Sequence, residues 1–331
     1  MHGAAFATLA VVAIALAVAA FLPVRTTDLG AHPKPMSEYE SATAEIGRRE
    51  QTDARVAASS GRSILLAHGR RTPIAVLLLH GYTNSPLQFD SLGRILYAEG
   101  DNVYIPRLPH HALAADGSAA LSQILATELR AAADSAVDVT DGLGDTVVVV
   151  GLSLGGTMAS WIAQYRPDVR RAVIVAPLMA LARVPSALEM PLVNLAVRMP
   201  NVMRSDAQDA REPDRDQGWS SHSLGQILRL GLVVQRASVD TAPASREMDM
   251  LLNGHDHSIS PRPVLAVARR WRSHGATVHV YQLSTSLGLP HDVIDPRQRV
   301  RRLDVVYPAI VALLRGDRPL GGNIEEMSFA R

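Results

Sequence analysis

The residues best suited to chemistry in this chain are a serine, an aspartate and a histidine, each of which follows a predicted β-strand. Ser153 lies in Gly151-Leu152-Ser153-Leu154-Gly155, after four consecutive valines and before the apolar helical segment Met158–Tyr165. A strand that enters a helix through such a turn holds the serine hydroxyl out at the strand end, and the glycines let helix and strand approach closely. We therefore predict Ser153 to be a nucleophile rather than part of a plain turn.

A serine hydroxyl is a poor nucleophile unless a base accepts its proton, and the base must be oriented by an acid. Asp256 directly follows the predicted strand Glu247–Leu252, and His291 follows the next predicted strand, Thr277–Tyr281. Parallel strands bring such positions to one edge of a sheet. We predict His291 as the general base and Asp256 as the acid that orients it.

Other acids are less suitable as the partner of His291. No Asp or Glu occurs from Ala176 to Leu188, after the strand that precedes the one leading to Asp256. Asp292 is interpreted as a helix-capping or loop residue.

Attack on an ester carbonyl develops a negative oxygen that requires preorganised N–H donors. One predicted donor is the backbone N–H of Leu154, at the start of the helix that follows the nucleophile. The other is the backbone N–H of Tyr82, in the loop after the predicted strand Ile74–His80. His80 and Gly81 are predicted to shape this loop rather than to react.

The elements that position these residues alternate between strand and helix. Short apolar strands are predicted at Ser63–Ala67, Ile74–His80, Val103–Ile105, Thr146–Leu152, Ala172–Ala176, Glu247–Leu252 and Thr277–Tyr281. Helices are predicted at Glu38–Ala57 (with Ser37 and Glu40 as a capping box), around Phe89–Leu96, at Ser118–Val139, Pro263–Ser273 and Gln298–Leu314. This alternation predicts an α/β fold with a mainly parallel sheet and helices on both faces.

The alternation stops between Leu178 and Pro243, where no strand is evident. This stretch contains two apolar helical segments separated by a charged loop from Arg204 to Asp216, and we interpret it as a helical cap. The Leu and Met side chains of the cap could bind an acyl chain or simply pack the cap onto the sheet. The predicted organisation is an N-terminal signal or anchor (1–23), a linker with a covering helix (24–60), an α/β core (61–177 and 244–317), the cap (178–243) and a C-terminal tail (318–331).

Composition excludes several classes of function. The chain has 331 residues, of which 47% are hydrophobic and 4% aromatic, and its formal net charge is +1. This charge provides no basic surface for nucleic acid, so no nucleic-acid partner is expected. The absence of cysteine excludes disulfides, thiolate zinc sites and a lipid-modified N-terminal cysteine. The histidines at 110, 111, 255 and 257 lack the spacing of a metal site, so neither metal nor cofactor is expected.

The segment Ala4–Leu22 is apolar or small except for Thr8, and it is just long enough to cross a hydrocarbon core as a helix. It could be a signal peptide, with Ala17-Val18-Ala19 as a cleavage site, a membrane anchor, or a buried helix. The first two alternatives place the rest of the chain outside the cytoplasm. We therefore predict export, either membrane-anchored or secreted and periplasmic.

Taken together, the motifs His80-Gly81-Tyr82-Thr83, Gly151–Gly155, Gly254-His255-Asp256 and Pro290-His291-Asp292 resemble the α/β-hydrolase superfamily. They are most similar to its bacterial carboxylesterases and monoacylglycerol-lipase-like serine hydrolases, over about Ile64 to Leu314. The resemblance implies the same triad and oxyanion donors as the residue types do, and it leaves the N-terminal segment outside the match.

The first hypothesis for function is a serine esterase that cleaves short- to medium-chain acyl esters, or monoacylglycerol-like lipids, through an acyl-enzyme. Acyl transfer to another acceptor, or peptide and amide cleavage, would use the same triad and remains open. A non-catalytic, membrane-tethered binding protein is a third hypothesis. Haloalkane or epoxide chemistry would require an aspartate in place of Ser153. The expected partner is a small-molecule or lipid ester, and the sequence does not determine the oligomeric state.

Overall fold

The computed structural model describes residues 2–56, 61–113, 117–204, 218–319 and 321–328. The helices are α1 His2–Phe21, α2 Tyr39–Val56, α3 Asp90–Ala98, α4 Gly117–Leu121, α5 Ala126–Asp141, α6 Leu154–Tyr165, α7 Ser186–Arg198, α8 Ser221–Asp240, α9 Arg262–Ser273 and α10 Leu303–Arg315. The strands are β1 Ile64–Leu66, β2 Thr72–Leu79, β3 Asn102–Ile105, β4 Gly144–Leu152, β5 Val169–Val175, β6 Met203–Arg204, β7 Trp219–Ser220, β8 Glu247–Asn253, β9 Thr277–Leu283 and β10 Ile324–Glu326.

Eight strands form the central sheet in the order β1-β3-β2-β4-β5-β8-β9-β10. The six inner strands run parallel, and the short edge strands β1 and β10 are antiparallel to their neighbours. The inner strands are almost continuously apolar because helices cover both faces of the sheet. The parallel arrangement brings the carboxyl ends of β2, β4, β8 and β9 to one edge, as predicted.

The cap follows β5 and precedes β8, and it contains α7 and α8. It also contains one feature that the sequence analysis missed: β6 and β7 pair antiparallel, with Met203 opposite Ser220 and Arg204 opposite Trp219. The prediction that no strand occurs in this stretch is therefore wrong. Two-residue strands are too short to show an alternating pattern. The predicted charged loop after Arg204 lies almost entirely outside the described residues.

Several element boundaries also differ from prediction. The single helix predicted at Ser118–Val139 is interrupted after α4 and resumes at α5. The closing helix begins at Leu303 rather than Gln298, because Asp295 accepts hydrogen bonds from the backbone N–H (2.9 Å) and Nε (2.8 Å) of Arg297 and so forms a turn. The predicted C-terminal tail supplies the edge strand β10, which pairs with β9.

The segment before β1 packs closely against the core. Leu29 is fully buried, and its carbonyl oxygen accepts a hydrogen bond of 2.8 Å from the indole N–H of Trp161 on α6. Helix α2 begins at Tyr39, and the hydroxyl of Ser37 lies 3.4 Å from the carboxylate of Glu38 instead of forming the predicted capping box. The covering helix is thus present with a different N-terminus.

Helix α1 packs beside cap helix α7. The side-chain amide of Asn194 donates to the carbonyl oxygen of Ala20 (2.8 Å), and Arg198 donates to that of Ala19 (3.2 Å). No helix in the described part of the chain combines the length and hydropathy needed to cross a bilayer.

Candidate active site

Ser153 occupies the sharp turn between β4 and α6. Its backbone has φ 58° and ψ −112°, a conformation that L-residues rarely adopt and that persists only where surrounding contacts enforce it. Its N–H donates to the carbonyl oxygen of Val175 (3.0 Å), and its own carbonyl oxygen accepts from the N–H groups of Thr157 (2.9 Å) and Leu178 (3.1 Å). The end of β5 and the segment that follows it thus hold the turn in place.

The glycines around Ser153 are required by close backbone approach. A Cβ atom at Gly151 would overlap the carbonyl of Gly155, and one at Gly155 would overlap the carbonyl of Leu79 on β2. A Cβ at Gly156 would lie 2.7 Å from the carbonyl oxygen of Val175. Strand-to-helix packing of this kind is what the sequence motif predicted.

His291 and Asp256 form a hydrogen-bonded pair at the same edge of the sheet. Nδ1 of His291 donates to Oδ2 of Asp256 at 2.6 Å. Because Nδ1 carries the proton, Nε2 is the nitrogen that can accept one. The Asp256 side chain is 5% exposed, whereas that of His291 is 22% exposed. Two of the predicted triad residues are therefore directly bonded.

The environment of Asp256 favours its charged form. Burial alone would raise the pKa of this carboxyl group, but the hydrogen bond and charge of His291 outweigh it and hold the pKa below its ordinary value. Oδ1 also accepts the backbone N–H of Ser258 at 2.8 Å and that of Ile259 at 3.3 Å. The carboxylate is thus fixed in position and stays ionised at neutral pH.

Asp292 has the loop role that was predicted for it. Its Oδ1 accepts the backbone N–H groups of Ile294 (3.2 Å) and Asp295 (3.1 Å). Its Oδ2 accepts amide groups from the side chains of Gln88 (2.8 Å) and Asn84 (3.2 Å). The structure therefore pairs His291 with Asp256 and uses Asp292 to shape the loop that carries the histidine.

The two predicted oxyanion donors belong to the segments that adjoin Ser153 and its cavity. Leu154 is the first residue of α6, where a helix has N–H groups without an intrahelical acceptor. Tyr82 lines the same cavity as Ser153, in the loop after β2. The Tyr82 hydroxyl bonds to Ser223 and accepts the N–H of Ser220 (3.0 Å), so this side chain connects the loop to the cap. The sequence did not reveal that connection.

His80 is fully buried and holds the loops together. Its Nδ1 donates to the carbonyl oxygen of Gly81 (2.9 Å), and Nε2 accepts the N–H of Leu108 (3.2 Å). Burial keeps the pKa of His80 well below its ordinary value, and burial also lowers the pKa of the neighbouring His111 to about 4. Both rings are neutral structural groups, in agreement with the predicted role of His80.

A cavity of about 600 Å³ opens at Ser153 and His291 and is bounded by both core and cap. Ser153, His291 and Tyr82 lie on its wall. Its apolar lining includes Leu152, Leu178, Leu192, Trp219, Leu228 and Ile259. Within the described residues the lining contains no Lys or Arg, and Asp292 is its one carboxylate. The volume lies in the range of ligand pockets, and the lining suits an uncharged apolar group.

The histidines at 110, 111, 255 and 257 are distributed over unrelated local contacts. His110 pairs with Glu128 at 3.0 Å, and the rings of His255 and His257 contact each other edge to face. No group of three or more His, Cys, Asp or Glu side chains in the described parts of the chain is arranged to hold a metal ion.

Gln88 and Asn84 are site residues that sequence reasoning missed. Both are buried, line the cavity and bond to Asp292. Asn84 also donates to Oδ2 of Asp295 at 3.1 Å. Isolated amide side chains in a loop show no periodicity and match no catalytic motif, so no signal in the sequence identifies them.

The fold, the strained serine turn and the bonded His–Asp pair together define an α/β hydrolase. Residues 76–319 match the model of the Alpha/beta hydrolase family, which is well over half of the chain. The chain belongs to this family.

Individual relatives are distant in sequence. A thermostable monoacylglycerol lipase from Bacillus sp. (strain H-257) is 22% identical over 200 residues, which are 57% of this chain and 73% of the lipase. The structure of the monoacylglycerol lipase from Paleococcus ferrophilus superposes with a TM-score of 0.52 at 17% identity, covering 77% of this chain and 98% of the other. A soluble variant of the Saccharomyces cerevisiae monoglyceride lipase superposes at 0.53 and 12% identity, covering 77% and 91%. These structural similarities establish the fold.

Proposed function

We propose that this protein hydrolyses carboxylic esters that carry an uncharged, short- to medium-length apolar acyl group, through a serine acyl-enzyme. One observation carries the proposal: Ser153, on its strained turn, lines the same apolar cavity as His291, whose ring is bonded to Asp256. The similarity to monoacylglycerol lipases supports ester hydrolysis and makes monoacylglycerol-like lipids suitable substrates to test.

In the acylation step, Oγ of Ser153 attacks the ester carbonyl carbon while Nε2 of His291 accepts the hydroxyl proton. Asp256 keeps the imidazole in the Nδ1–H tautomer and stabilises the imidazolium that forms. The negative charge that develops on the carbonyl oxygen is stabilised by the backbone N–H groups of Leu154 and Tyr82. The tetrahedral intermediate then collapses and expels the alcohol, which takes the proton from His291.

Deacylation repeats these steps with water. His291 removes a proton from the water molecule, the hydroxide attacks the acyl carbonyl, and Oγ of Ser153 leaves with the proton that His291 returns. Each group returns to its starting protonation state, so the reaction consumes one water per ester.

A panel of p-nitrophenyl esters from acetate to palmitate, together with a monoacylglycerol, tests the substrate class. Because the described lining is mostly apolar and contains no Lys or Arg, we expect kcat/KM to rise with acyl length and then fall once the chain exceeds the cavity. An aminopeptidase substrate and an assay for transfer to an added alcohol belong in the same panel. Preference for amide cleavage, or for transfer over hydrolysis, would contradict the proposal.

Substitution of the nucleophile tests the mechanism. Ser153→Ala should reduce kcat by a factor on the order of 10⁴ or more and abolish labelling by a fluorophosphonate probe. Ser160→Ala is a matched control, because Ser160 is a buried serine of α6, the helix that follows Ser153, and its hydroxyl bonds locally to the carbonyl of Gly156 (2.8 Å). This control should retain labelling and activity. Labelling of the Ser153→Ala protein would refute the assignment.

We also propose that the protein acts outside the cytoplasm. The apolar, uncharged composition of Ala4–Leu22 and the Ala17-Val18-Ala19 sequence support this proposal. N-terminal sequencing of the protein recovered from cell fractions tests it: a new N-terminus near Ala19 in the soluble exported fraction indicates cleavage, and an intact one in the membrane fraction indicates retention. Recovery in the cytoplasm would contradict export.

A further inference from the structure

Buried side-chain amides join the loop after β2 to the loop after β9, and the amide of Gln88 contacts both the backbone of the first loop and the Asp292 carboxylate of the second. Gln88 lies in the short 3-10 helix Pro86–Phe89 and is 2% exposed. Its Oε1 accepts the backbone N–H of Gly81 at 2.8 Å, and its Nε2 donates to Oδ2 of Asp292 at 2.8 Å. One buried side chain therefore bonds to two loops that come from distant parts of the chain.

The two partners of Gln88 are sequence neighbours of the proposed reacting groups. Gly81 directly precedes Tyr82, whose N–H is a proposed oxyanion donor, and Asp292 directly follows His291, the proposed base. A Cβ atom placed on Gly81 would lie 3.6 Å from both polar atoms of the Gln88 amide and 3.7 Å from Cβ of Ser153. The amide thus sits against the backbone beside the nucleophile.

The direction of both hydrogen bonds is fixed by chemistry. A backbone N–H can only donate and an ionised carboxylate can only accept, so the amide must turn its oxygen to Gly81 and its nitrogen to Asp292. Only a side chain with a donor and an acceptor at this separation satisfies both partners. Asp292 has further donors in Asn84 and Gln298 (both 3.2 Å), so its position does not depend on Gln88 alone.

We infer that Gln88 is a positioning residue that sets the oxyanion loop and the base loop in register with each other across Ser153. This inference rests on the proposed function. Gln88 acts through Gly81 and Asp292, without touching the reacting atoms. Its contribution should therefore be to the rate of the chemical step rather than to binding of the acyl chain.

The central test is Gln88→Met, which keeps side-chain length but removes both hydrogen bonds. We expect kcat to fall by tenfold to a hundredfold, on the order expected for misplaced reacting groups, with KM within about threefold of the unsubstituted protein. Rates are to be normalised to the fraction of protein that a fluorophosphonate probe can titrate, so that misfolded molecules do not count.

Gln164→Met is the matched control. Gln164 is also a buried glutamine that joins two elements, because it accepts a hydrogen bond from the indole of Trp271 (2.7 Å) and donates to Thr241 (3.1 Å), near the far end of α6 from Ser153. This variant should lose thermal stability as Gln88→Met does, but its normalised kcat should be unchanged. Equal kcat losses in both variants would show that Gln88 is only structural.

Gln88→Glu separates the two contacts and serves as the second variant if Gln88→Met folds poorly. It keeps an acceptor for Gly81 but turns a carboxylate oxygen toward Asp292, so the two acids repel unless they share a proton. The ratio of its kcat to that of the unsubstituted protein should rise as pH is lowered. A ratio independent of pH would overturn the proposed link to Asp292.

The rate of labelling of Ser153 by the fluorophosphonate provides a readout that does not depend on any ester substrate. If the unsubstituted protein is labelled and Gln88→Met is labelled equally fast with an unchanged kcat, the inference about Gln88 fails and the proposed function stands. If the unsubstituted protein is neither labelled nor active, both fail together.

Discussion

The His291–Asp256 pair and the Arg166 cluster both consist of ionisable side chains that are largely buried. They differ in whether one of their atoms can still accept a proton from a bound molecule. Arg166 is fully buried and bonds to three carboxylates, those of Asp134 (3.0 Å), Asp138 (2.6 Å) and Asp168. Burial would lower its pKa, but these acids outweigh burial and raise it. The His291–Asp256 pair instead leaves Nε2 of the imidazole as an acceptor at the wall of a cavity.

The Arg166 cluster holds the N-terminal segment to the core. Asp134 accepts the backbone N–H of His32 (2.9 Å), and Asp138 accepts that of Lys34 (2.9 Å). These groups all form ion pairs or hydrogen bonds that stabilise the fold. Burial and perturbed pKa values occur in both clusters, and what distinguishes the candidate catalytic group is a histidine at the cavity wall whose second ring nitrogen can accept a proton.

Among the variants that test the difference between these two clusters, the largest effect is expected from Asp256→Asn, which should lower kcat by about 10³- to 10⁴-fold because His291 loses the carboxylate that orients and stabilises it. The backbone donors of Ser258 and Ile259 can still bond to the amide oxygen, so the melting temperature should change little. Steady-state kinetics and thermal unfolding measure the two quantities. A decrease in kcat of less than tenfold would show that Asp256 is not the acid that supports His291.

The opposite outcome is expected for Arg166→Met. Removing the cation leaves carboxylates buried together, and the free energy of unfolding should fall by about 3–5 kcal/mol, while kcat per folded molecule stays the same. Urea unfolding and titrated kinetics measure this. Arg302→Met, which breaks the exposed pair with Asp304, is the control and should leave the unfolding midpoint unchanged. A lower kcat in folded Arg166→Met would contradict the conclusion that the Arg166 cluster is purely structural.

The buried histidines extend the comparison to acid stability. The pKa of His111 is about 4 in the folded protein, below the ordinary value near 6.5, so between these pH values the unfolded chain binds a proton that the folded one does not. Stability should therefore fall as the pH is lowered through this window, by up to roughly 3 kcal/mol from this residue. In the His111→Phe variant, the free energy of unfolding should depend less on pH, which urea unfolding at several pH values measures. An unchanged dependence on pH would contradict this role of His111.

The smallest effect concerns catalysis by His291, which must be neutral to accept a proton. A protonated imidazole cannot act as a base, so kcat/KM should fall as the pH is lowered. Because the pKa of Asp256 is held low, that carboxylate stays charged over the upper part of this pH range. The loss of activity there should therefore involve only one proton. Hydrolysis rates from pH 4.5 to 8 test this, and a flat profile would argue against a histidine base.

The core of the fold and the outline of the site were predictable because their signals are local. A valine strand, a glycine-flanked serine and a helix adjoin in sequence, and the turn geometry follows from them. The sequence also predicted that Ser153, Asp256 and His291 lie at one edge of the sheet, since parallel strands place their carboxyl ends together. Even the choice between Asp256 and Asp292 followed from strand ends, and the hydrogen bond of His291 to Asp256 agrees with it.

The features that escaped prediction depend on partners far away in the chain. Leu29 lies beneath Trp161, and Gln88 contacts Asp292 more than 200 residues later. The strands β6, β7 and β10 have two or three residues each, too few for a pattern. Their existence follows from neighbours that happen to offer free backbone groups.

By itself, the amino-acid sequence determined which residue types stand at the ends of which strands, and hence the fold class and the three proposed catalytic side chains. Hydrophobic periodicity and turn chemistry act over a few residues, so they can be recognised in a short stretch of sequence. Only the tertiary structure decided how the cap closes the cavity, and that the buried amides of Asn84 and Gln88 join the loop after β2 to Asp292 in the loop after β9. Those outcomes depend on distances and hydrogen-bond directions between distant segments, which arise only when the chain has packed.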